Sequence, residues 1–295
     1  MRIICGVAGL MLLVTPAMAQ SPSMLALAEA RTAASEPDLV KAYGPAALQF
    51  GHLRLPAGPG PHPVAVLVHG GCWSAGFEDL SGMAPVADAL TEKGFATWNL
   101  AYRRLGDLGG GWPGTFEDIA AGLDHLRILG DDHPLDLSRV VVVGHSSGAH
   151  LALWAAARKA AADTRFGMTP LVPAAVVALD GPGALAPLIG VDQAICGQSV
   201  VVPFMGGTPQ DRPDDYRAAT PQDHLPFGVR QLLVRAELAP LMAPYVAAAS
   251  ASGDEVRLLD LDGADHFDGV VPGRPHGDRV VAAIAELMER PAARH

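Results

Sequence analysis

The stretch VVVVGHSSGAH, residues 140–150, decides how the rest of the sequence is interpreted. Four consecutive valines are typical of a short strand that is buried on both faces, as strands of parallel sheets are. The Ala- and Leu-rich residues 151–158 that follow predict a helix. Between them, Gly144 to Gly148 satisfy the pattern G-x-S-x-G, which predicts either a reactive serine on a sharp turn or only a tight strand-to-helix connection.

The composition indicates a globular protein with a substantial core. Of the 295 residues, 49% are hydrophobic and 18% are charged, and the formal net charge is −10. This length suits one large α/β domain or two small ones. Since no run of basic residues is present, a nucleic acid is not an expected partner.

The first 19 residues are predicted to be a secretory signal peptide. Arg2 gives a positive start, residues 3–14 are almost wholly apolar, and Ala17-Met18-Ala19 is a suitable cleavage site. The alternative is a membrane anchor, but the apolar stretch is shorter than the roughly 20 residues that span a bilayer. We therefore expect an exported protein, periplasmic or secreted, with residues 20–295 as a single domain and no membrane partner after cleavage.

Strands and helices alternate over most of the mature chain. Strands are predicted at residues 48–55, 64–68, 95–100, 140–143, 174–179, 231–234 and 256–261, and helices at residues 21–34, 83–93, 115–129, 151–158, 241–252 and 277–290. This alternation predicts an α/β fold, a mostly parallel sheet with helices on both faces. The stretch 181–227 is rich in Pro, Gly and Asp and too long for a simple connection, so we interpret it as an insertion near the active site that shapes a pocket.

Ser146 is the predicted nucleophile. It lies at the carboxyl end of a strand, where open α/β sheets bind their ligands. Gly144 and Gly148 would let the strand and the helix pack closely, and the backbone N–H of Ser147 would point toward a developing oxyanion. Ser147 is a rival nucleophile, but the spacing of the glycines favours Ser146. Because a hydroxyl alone is a poor nucleophile, a base must take its proton.

A second glycine-rich turn, His69-Gly70-Gly71-Cys72-Trp73, directly follows the apolar strand at residues 64–68. Glycines there allow backbone N–H groups to turn toward a tetrahedral intermediate. Gly71 and Cys72 are therefore predicted to complete an oxyanion hole with Ser147. An ordinary Gly-Gly turn is the alternative interpretation. His69 itself is expected to be structural and hydrogen-bonded under the loop.

The general base is expected late in the chain, in Gly263-Ala264-Asp265-His266-Phe267 after the last strand. From that place His266 could approach Ser146 and accept its proton. The chain has eleven histidines, so a single histidine is weak support. His150, one helical turn after Ser146, is expected to be a packed helix residue.

Together these three motifs resemble the α/β-hydrolase superfamily, and more narrowly esterases and arylformamidase-like proteins with an H-G-G-x-W oxyanion loop. The likeness covers roughly residues 45–290, nearly the whole mature chain. The resemblance implies the α/β-hydrolase fold and hydrolysis of carboxylic esters or related acyl compounds. It also implies the chain order serine, acid, histidine and no metal or organic cofactor.

The triad acid departs from this family pattern. The family usually places an aspartate a few residues past the strand predicted at residues 231–234, and the corresponding position here is Ala239. Glu237 in the same loop is the first choice for the acid, because its extra methylene adds reach. Asp180, which ends the preceding strand, is the alternative, since some α/β-hydrolases carry the acid there. Two weaker candidates are Asp260 and Asp262.

Cys72 and Cys196 are the cysteines that remain after removal of the signal peptide. In an exported protein such a pair can form one disulfide, and the alternative is two unrelated thiols. A bridge would tie the predicted insertion to the oxyanion loop.

The sequence thus predicts an exported serine hydrolase for a small-molecule acyl substrate, acting through an acyl-serine. Side chains that could line an apolar acyl or aryl pocket are Trp73, Trp112, Leu188, Val202 and Phe204, with ordinary packing as the alternative for each. A serine peptidase, amidase or arylformamidase-like activity on the same fold is the second functional hypothesis. A non-catalytic binding protein on a hydrolase scaffold is the third, because the expected aspartate is missing.

A further glycine-rich motif, at residues 109–114, does not predict a nucleotide site. Gly109 to Gly114 satisfy G-x-G-x-x-G, but the dinucleotide-binding version follows a strand directly. Here residues 101–108 intervene and Pro113 interrupts the motif, so no nucleotide cofactor is expected.

Overall fold

A single sheet organises the part of the chain that the computed structural model describes, residues 21–289. The predicted signal peptide lies outside these residues. The strands are β1 (Leu39–Ala42), β2 (Phe50–Arg54), β3 (His62–Val68), β4 (Ala96–Leu100), β5 (Leu135–His145), β6 (Ala175–Leu179), β7 (Arg230–Arg235) and β8 (Val256–Asp260). Their order is β1-β2-β4-β3-β5-β6-β7-β8. β1 pairs antiparallel with β2, and β2 pairs antiparallel with β4. All the other neighbouring strands, from β4 to β8 in this order, pair in parallel.

Helices cover both faces of this sheet, as predicted. They are α1 (Pro22–Ala33), α2 (Ala84–Glu92), α3 (Gly114–Asp124), α4 (Leu126–Asp132), α5 (Ser147–Ala161), α6 (Asp192–Cys196), α7 (Val201–Met205), α8 (Pro213–Ala219), α9 (Ala239–Ser252) and α10 (Pro275–Glu289). Between residues 21 and 289 no helix is both long and apolar enough to cross a membrane.

The valine run forms the centre of the sheet because it is buried on both faces. Val140 and Val142 pack into the core under α3, α4, α5 and α9, whereas Val141 and Val143 pack into the core under α1, α2 and α10. Successive side chains of a strand point to opposite faces, so one apolar run serves both cores. The strand itself is longer than predicted and begins at Leu135.

Two elements differ from the sequence-based expectation. The edge strand β1 was not predicted, because its residues are largely exposed and carry no alternating apolar pattern. The helix predicted over residues 115–129 is two helices, α3 and α4, which meet at His125.

The segment between β6 and β7, predicted as an insertion over residues 181–227, contains the short helices α6, α7 and α8. Its buried side chains, among them Leu188, Val201 and Phe204, join the core on the α5 side of the sheet. The carboxylate of Asp192 accepts hydrogen bonds from four backbone N–H groups, those of Gly190, Gln193, Val200 and Val201. A buried carboxylate satisfied in this way holds the start of α6 against the start of α7.

Candidate active site

The predicted site residues follow the ends of neighbouring parallel strands. His69 follows β3, Ser146 follows β5, Asp180 follows β6, Glu237 follows β7, and the loop that carries His266 follows β8. Carboxyl ends of parallel strands share one edge of a sheet, so residues from five distant parts of the sequence are brought to the same place.

Ser146 occupies a sharp turn between β5 and α5. Its φ of 55° and ψ of −122° lie outside the regions that ordinary residues favour. A methyl group on Gly144 would come within 2.0 Å of the Gly148 carbonyl oxygen, and one on Gly148 within 2.2 Å of the Val68 carbonyl oxygen. The two glycines are therefore required by the close packing of strand and helix, which confirms that part of the prediction.

The imidazole of His266 is bound to Asp180. The distance between His266 Nδ1 and Asp180 Oδ2 is 2.8 Å, and both side chains are buried. Asp180 Oδ1 also accepts hydrogen bonds from the backbone N–H groups of Ala236 (2.9 Å) and Leu238 (3.0 Å). A carboxylate held in this manner fixes the ring so that Nδ1 carries the proton and Nε2 is the basic nitrogen.

The first choice for the acid, Glu237, was wrong in position. Its Oε2 accepts the backbone N–H of His266 at 3.1 Å, so it contacts the peptide of the histidine rather than the ring. The backbone N–H groups of its two neighbours, Ala236 and Leu238, donate to Asp180. The weaker candidate Asp260 pairs with Arg235 at the surface.

A sequence signal for Asp180 existed in the glycine that follows it. A methyl group on Gly181 would come within 2.1 Å of the Ser146 carbonyl oxygen. The Ser146 N–H in turn donates to the carbonyl oxygen of Leu179 at 2.9 Å. The glycine after Asp180 thus provides the room that lets the end of β6 touch the Ser146 turn.

His145 is a site residue that the sequence analysis missed. Burial and the neighbouring His266 lower the pKa of His145 to about 3, so its ring is neutral. Its Nε2–H donates to the carbonyl oxygen of His266 at 2.9 Å, and the two ring centres are 4.6 Å apart. The residue before Ser146 therefore holds the loop of His266, through a contact between residues 121 positions apart for which no local pattern exists.

The loop after β3 has the backbone that an oxyanion hole needs. Gly71, Cys72 and Trp73 all have positive φ, at 102°, 51° and 53°. Among the hydrogen bonds of residues 21–289, none uses the backbone N–H of Cys72. Ser147 is the first residue of α5, so its N–H has no intrahelical partner. The N–H groups of Cys72 and Ser147, two of the three predicted donors, therefore have no hydrogen-bond partner among the described residues.

Two histidines near the site are structural, as predicted. Burial lowers the pKa of His69 and of His150 to about 4, so both rings are neutral. His69 Nδ1–H donates to the Gly70 carbonyl oxygen at 2.8 Å, and the Tyr102 hydroxyl donates to the His69 carbonyl oxygen at 2.7 Å. His150 Nε2–H donates to the carbonyl oxygen of Ala219 at 2.8 Å.

Cys72 and Cys196 form a disulfide, with their Cα atoms 6.1 Å apart. The bridge joins the oxyanion loop to the end of α6. The structure therefore confirms the predicted disulfide, and the alternative of two unrelated thiols is wrong.

A cavity of about 30 Å³ lies beside Ser146 and the disulfide. Its apolar lining consists of Trp73, Pro182, Leu188, Ile195, Leu238 and Leu241. The predicted pocket residues Trp73 and Leu188 are thus in place. Trp112 does not line this cavity. Its backbone N–H donates to the Phe204 carbonyl oxygen, and its ring packs on Phe116, the packing role that was the alternative. Phe204 is buried against Trp73 instead of facing the cavity.

The start of α1 is fastened to the histidine loop. The Ser23 hydroxyl donates to the Asp265 carboxylate, which also accepts the backbone N–H of Phe267 at 2.9 Å. Burial raises the pKa of Asp265, but these hydrogen bonds outweigh it and leave the pKa below its usual value. A second cavity, of about 340 Å³, lies on this side and is lined by Ser21, Glu237 and residues 263–267.

Comparison with protein families gives a match to the BD-FAE family over residues 53–229, more than half of the chain. The chain belongs to the BD-FAE family. The members of this family are α/β-hydrolase-like esterases. The match confirms the predicted resemblance to esterases of the α/β-hydrolase superfamily, and it confirms the prediction that the protein is a hydrolase of carboxylic esters. Among curated proteins, none matches closely enough to count as a relative.

Solved structures similar to this BD-FAE member include esterase B from Lactobacillus rhamnosis, with 19% identity and a TM-score of 0.71 over 88% of this chain and 90% of that one. A bacterial heroin esterase has 20% identity and a TM-score of 0.67 over 90% and 96% of the two chains. A bifunctional GH43-CE protein of Bacteroides eggerthii has 19% identity and a TM-score of 0.69 over 86% of this chain, which spans 38% of that protein. At these identities the likeness shows the fold.

We expect the disulfide to contribute substantially to stability, because it closes a loop between residues 124 positions apart. Replacing Cys72 and Cys196 together with alanine should lower the free energy of unfolding by roughly 2–5 kcal/mol, measured by urea denaturation. Reduction of the wild-type protein should produce a similar loss and leave the double variant unaffected. Two free thiols in the unreduced protein, counted by mass spectrometry after alkylation, would contradict the bridge.

Proposed function

We propose that this protein is an exported carboxylesterase that cleaves esters through an acyl-serine on Ser146. The single observation that carries the proposal is the buried pair of Asp180 and His266 beside the strained Ser146 turn. The third hypothesis, a non-catalytic scaffold, was motivated by a missing aspartate. Asp180 supplies a carboxylate at the histidine, which removes that motive.

The chemistry follows from the positions of the donors and the base. His266 takes the hydroxyl proton of Ser146 while the serine oxygen attacks the acyl carbon, and the N–H groups of Cys72 and Ser147, in the loop that begins at Gly71, hold the oxyanion. The alcohol leaves with the proton that His266 returns. A water molecule, deprotonated by His266, then attacks the acyl-serine and frees the acid, and the serine oxygen recovers its proton. Asp180 stabilises the imidazolium of His266 in both steps, the acylation of the serine and its deacylation.

The apolar cavity next to Ser146 supports a short acyl group. Its volume of about 30 Å³ is small, which favours a short acyl group over a long chain. Trp73 and Leu188 are buried side chains on its wall, and the disulfide limits how far the wall can retreat. The proposed substrates are therefore esters of acetate and similarly small acids.

A fluorophosphonate probe should label the wild-type protein at Ser146, and Ser146→Ala should take up none. On p-nitrophenyl esters, kcat/KM should be highest for acetate and fall by at least roughly tenfold at octanoate, since the cavity excludes longer chains. Aminoacyl-nitroanilides test the peptidase hypothesis in the same assay. Cleavage of the anilides but not of the esters would favour the peptidase hypothesis over the esterase proposal. A Ser146 that does not react with the fluorophosphonate would contradict both.

The acid is tested with two variants that keep side-chain size. Asp180→Asn should lower kcat by roughly 10³- to 10⁴-fold, because an amide no longer stabilises the imidazolium or holds the reactive tautomer. Glu237→Gln is the matched control, and its kcat should stay within roughly tenfold of the wild type, since Glu237 contacts only a backbone N–H. The reverse order of the two losses would restore Glu237 as the acid.

Export is proposed from the layout of the first 19 residues and is supported by the Cys72–Cys196 disulfide, which persists in oxidising compartments. When the full chain is expressed in a Gram-negative host, intact-mass analysis of the periplasmic fraction should find a protein that begins at Gln20. A matched variant with Ala19→Phe should retain the leader. Unprocessed protein confined to the cytoplasm would contradict the proposal.

A further inference from the structure

A further cavity, of about 400 Å³, lies between α1, β2, the start of α2 and the loops after β3 and β4. Ser146, Asp180 and His266 are not part of its lining. Its volume falls within the range of about 300–1,000 Å³ that is typical of pockets for small molecules. The cavity is therefore a candidate binding site apart from the catalytic one.

Strand β2 supplies one wall of this cavity. Phe50, His52 and Arg54 are alternate residues of the strand, so their side chains point to the same face of the sheet. The ring centres of Phe50 and His52 are 5.6 Å apart. Further apolar lining comes from Leu48, Leu80, Ala84 and Ala101. A ligand with an apolar body can therefore pack along the two rings, with one end at Arg54.

Arg54 carries a buried hydrogen-bond donor at the end of this row. Its side chain is only 4% exposed. Nε lies 2.8 Å from Asp88 Oδ1, and Nη2 donates to the Ser35 carbonyl oxygen at 2.5 Å. Nη1 is buried as well and has no hydrogen-bond partner among residues 21–289. A buried donor without a partner costs free energy, and an acceptor oxygen of a ligand would remove that cost.

The charges around the cavity favour an anionic acceptor. Arg31 and Arg104 also line it, with side chains 33% and 12% exposed. The acidic side chains in the lining, Glu36 and Asp79, are exposed to solvent, which screens their charge. Water therefore weakens the repulsion from these carboxylates more than the attraction of the buried Arg54 guanidinium.

One negative charge suits this cavity better than two. Arg31 and Arg104 already pair with acidic side chains, Asp79 and Asp107, which leaves Nη1 of Arg54 as the main donor for a ligand. A carboxylate has a single charge and oxygens that accept such a donor. A phosphate group would bring further charge that these paired arginines do not neutralise.

We propose that this cavity is a second binding site, which takes a small organic monocarboxylate with an apolar body and binds its carboxylate through Arg54 Nη1. His69 and Tyr102 are also part of the lining, and the Tyr102 hydroxyl donates to the His69 carbonyl oxygen. A bound acid would thus lie next to the residues that support the loop after β3, without touching Ser146.

The test compares cyclohexanecarboxylate with cyclohexanecarboxamide, which has nearly the same shape and no charge. Isothermal titration calorimetry at neutral pH should give a Kd for the carboxylate that is roughly tenfold lower, the usual gain when the acceptor of a hydrogen bond is ionised. Cyclohexyl phosphate, the dianionic counterpart, should bind more weakly than the carboxylate.

Three variants locate the site. In Arg54→Met, which has no donor, the ratio of the amide Kd to the carboxylate Kd should fall to about one. In Arg54→Lys, which keeps a charge beside Asp88 but lacks the forked nitrogens, this ratio should fall at least roughly threefold. Ala84→Leu fills part of the cavity and leaves every charge in place, so it should weaken the binding of both ligands by roughly tenfold.

Arg257→Lys is the matched control, because Arg257 is an exposed arginine that pairs with Glu286 and does not line the cavity. It should keep the wild-type ratio. Binding of the carboxylate should also persist after the fluorophosphonate has reacted with Ser146. Loss of binding in the treated protein would place the carboxylate at the catalytic serine and overturn the assignment.

Other results would overturn it as well. One is an equal Kd for the carboxylate and the amide in the wild type, and another is a ratio that neither Arg54 variant changes. Tighter binding of cyclohexyl phosphate would contradict the choice of a monocarboxylate. If none of the three compounds binds, water alone satisfies Nη1 and the proposal fails. If Arg54→Met does not fold, judged by circular dichroism, the ratio for Arg54→Lys decides.

Discussion

The carboxylate of Asp180 joins three segments that are far apart in sequence. It binds the His266 ring and the backbone N–H groups of Ala236 and Leu238, so the loops after β7 and β8 meet at the end of β6. A buried carboxylate is tolerated when such bonds replace its hydration. The residue before it, Leu179, accepts the N–H of Ser146. The positions of Ser146, Asp180 and His266 therefore depend on one short stretch at the end of β6.

The loop after β3, which we propose as the oxyanion loop, is held from several sides. Tyr102 binds the carbonyl oxygen of His69, and the N–H of Leu105 donates to the carbonyl oxygen of Trp73 at 2.7 Å. The disulfide at Cys72 adds a covalent tie. Donors that are already in position need no reorganisation when negative charge develops on the substrate oxygen, which is the condition for effective electrostatic catalysis.

Much of this site could be predicted because its residues are set by local demands. A strained turn that links a buried strand closely to a helix needs glycines at 144 and 148, and a loop with successive positive φ values favours glycine at 71. The carboxylate that contacts the His266 ring could not be chosen from the sequence, because nothing local decides it. Glu237 and Asp180 both follow parallel strands, and only the folded structure shows that Asp180 contacts the His266 ring whereas Glu237 contacts the backbone N–H of His266.

The amino-acid sequence by itself determined the layered α/β architecture, the turn of Ser146 and the glycine-rich loop after β3. These depend on short-range rules, the alternation of buried side chains and the room that a missing side chain leaves. The tertiary structure decided the pairing of Asp180 with His266, the support of the histidine loop by His145, and the bridge between Cys72 and Cys196. Each of these is a contact across many residues, which exists only once the strands have taken their order in the sheet.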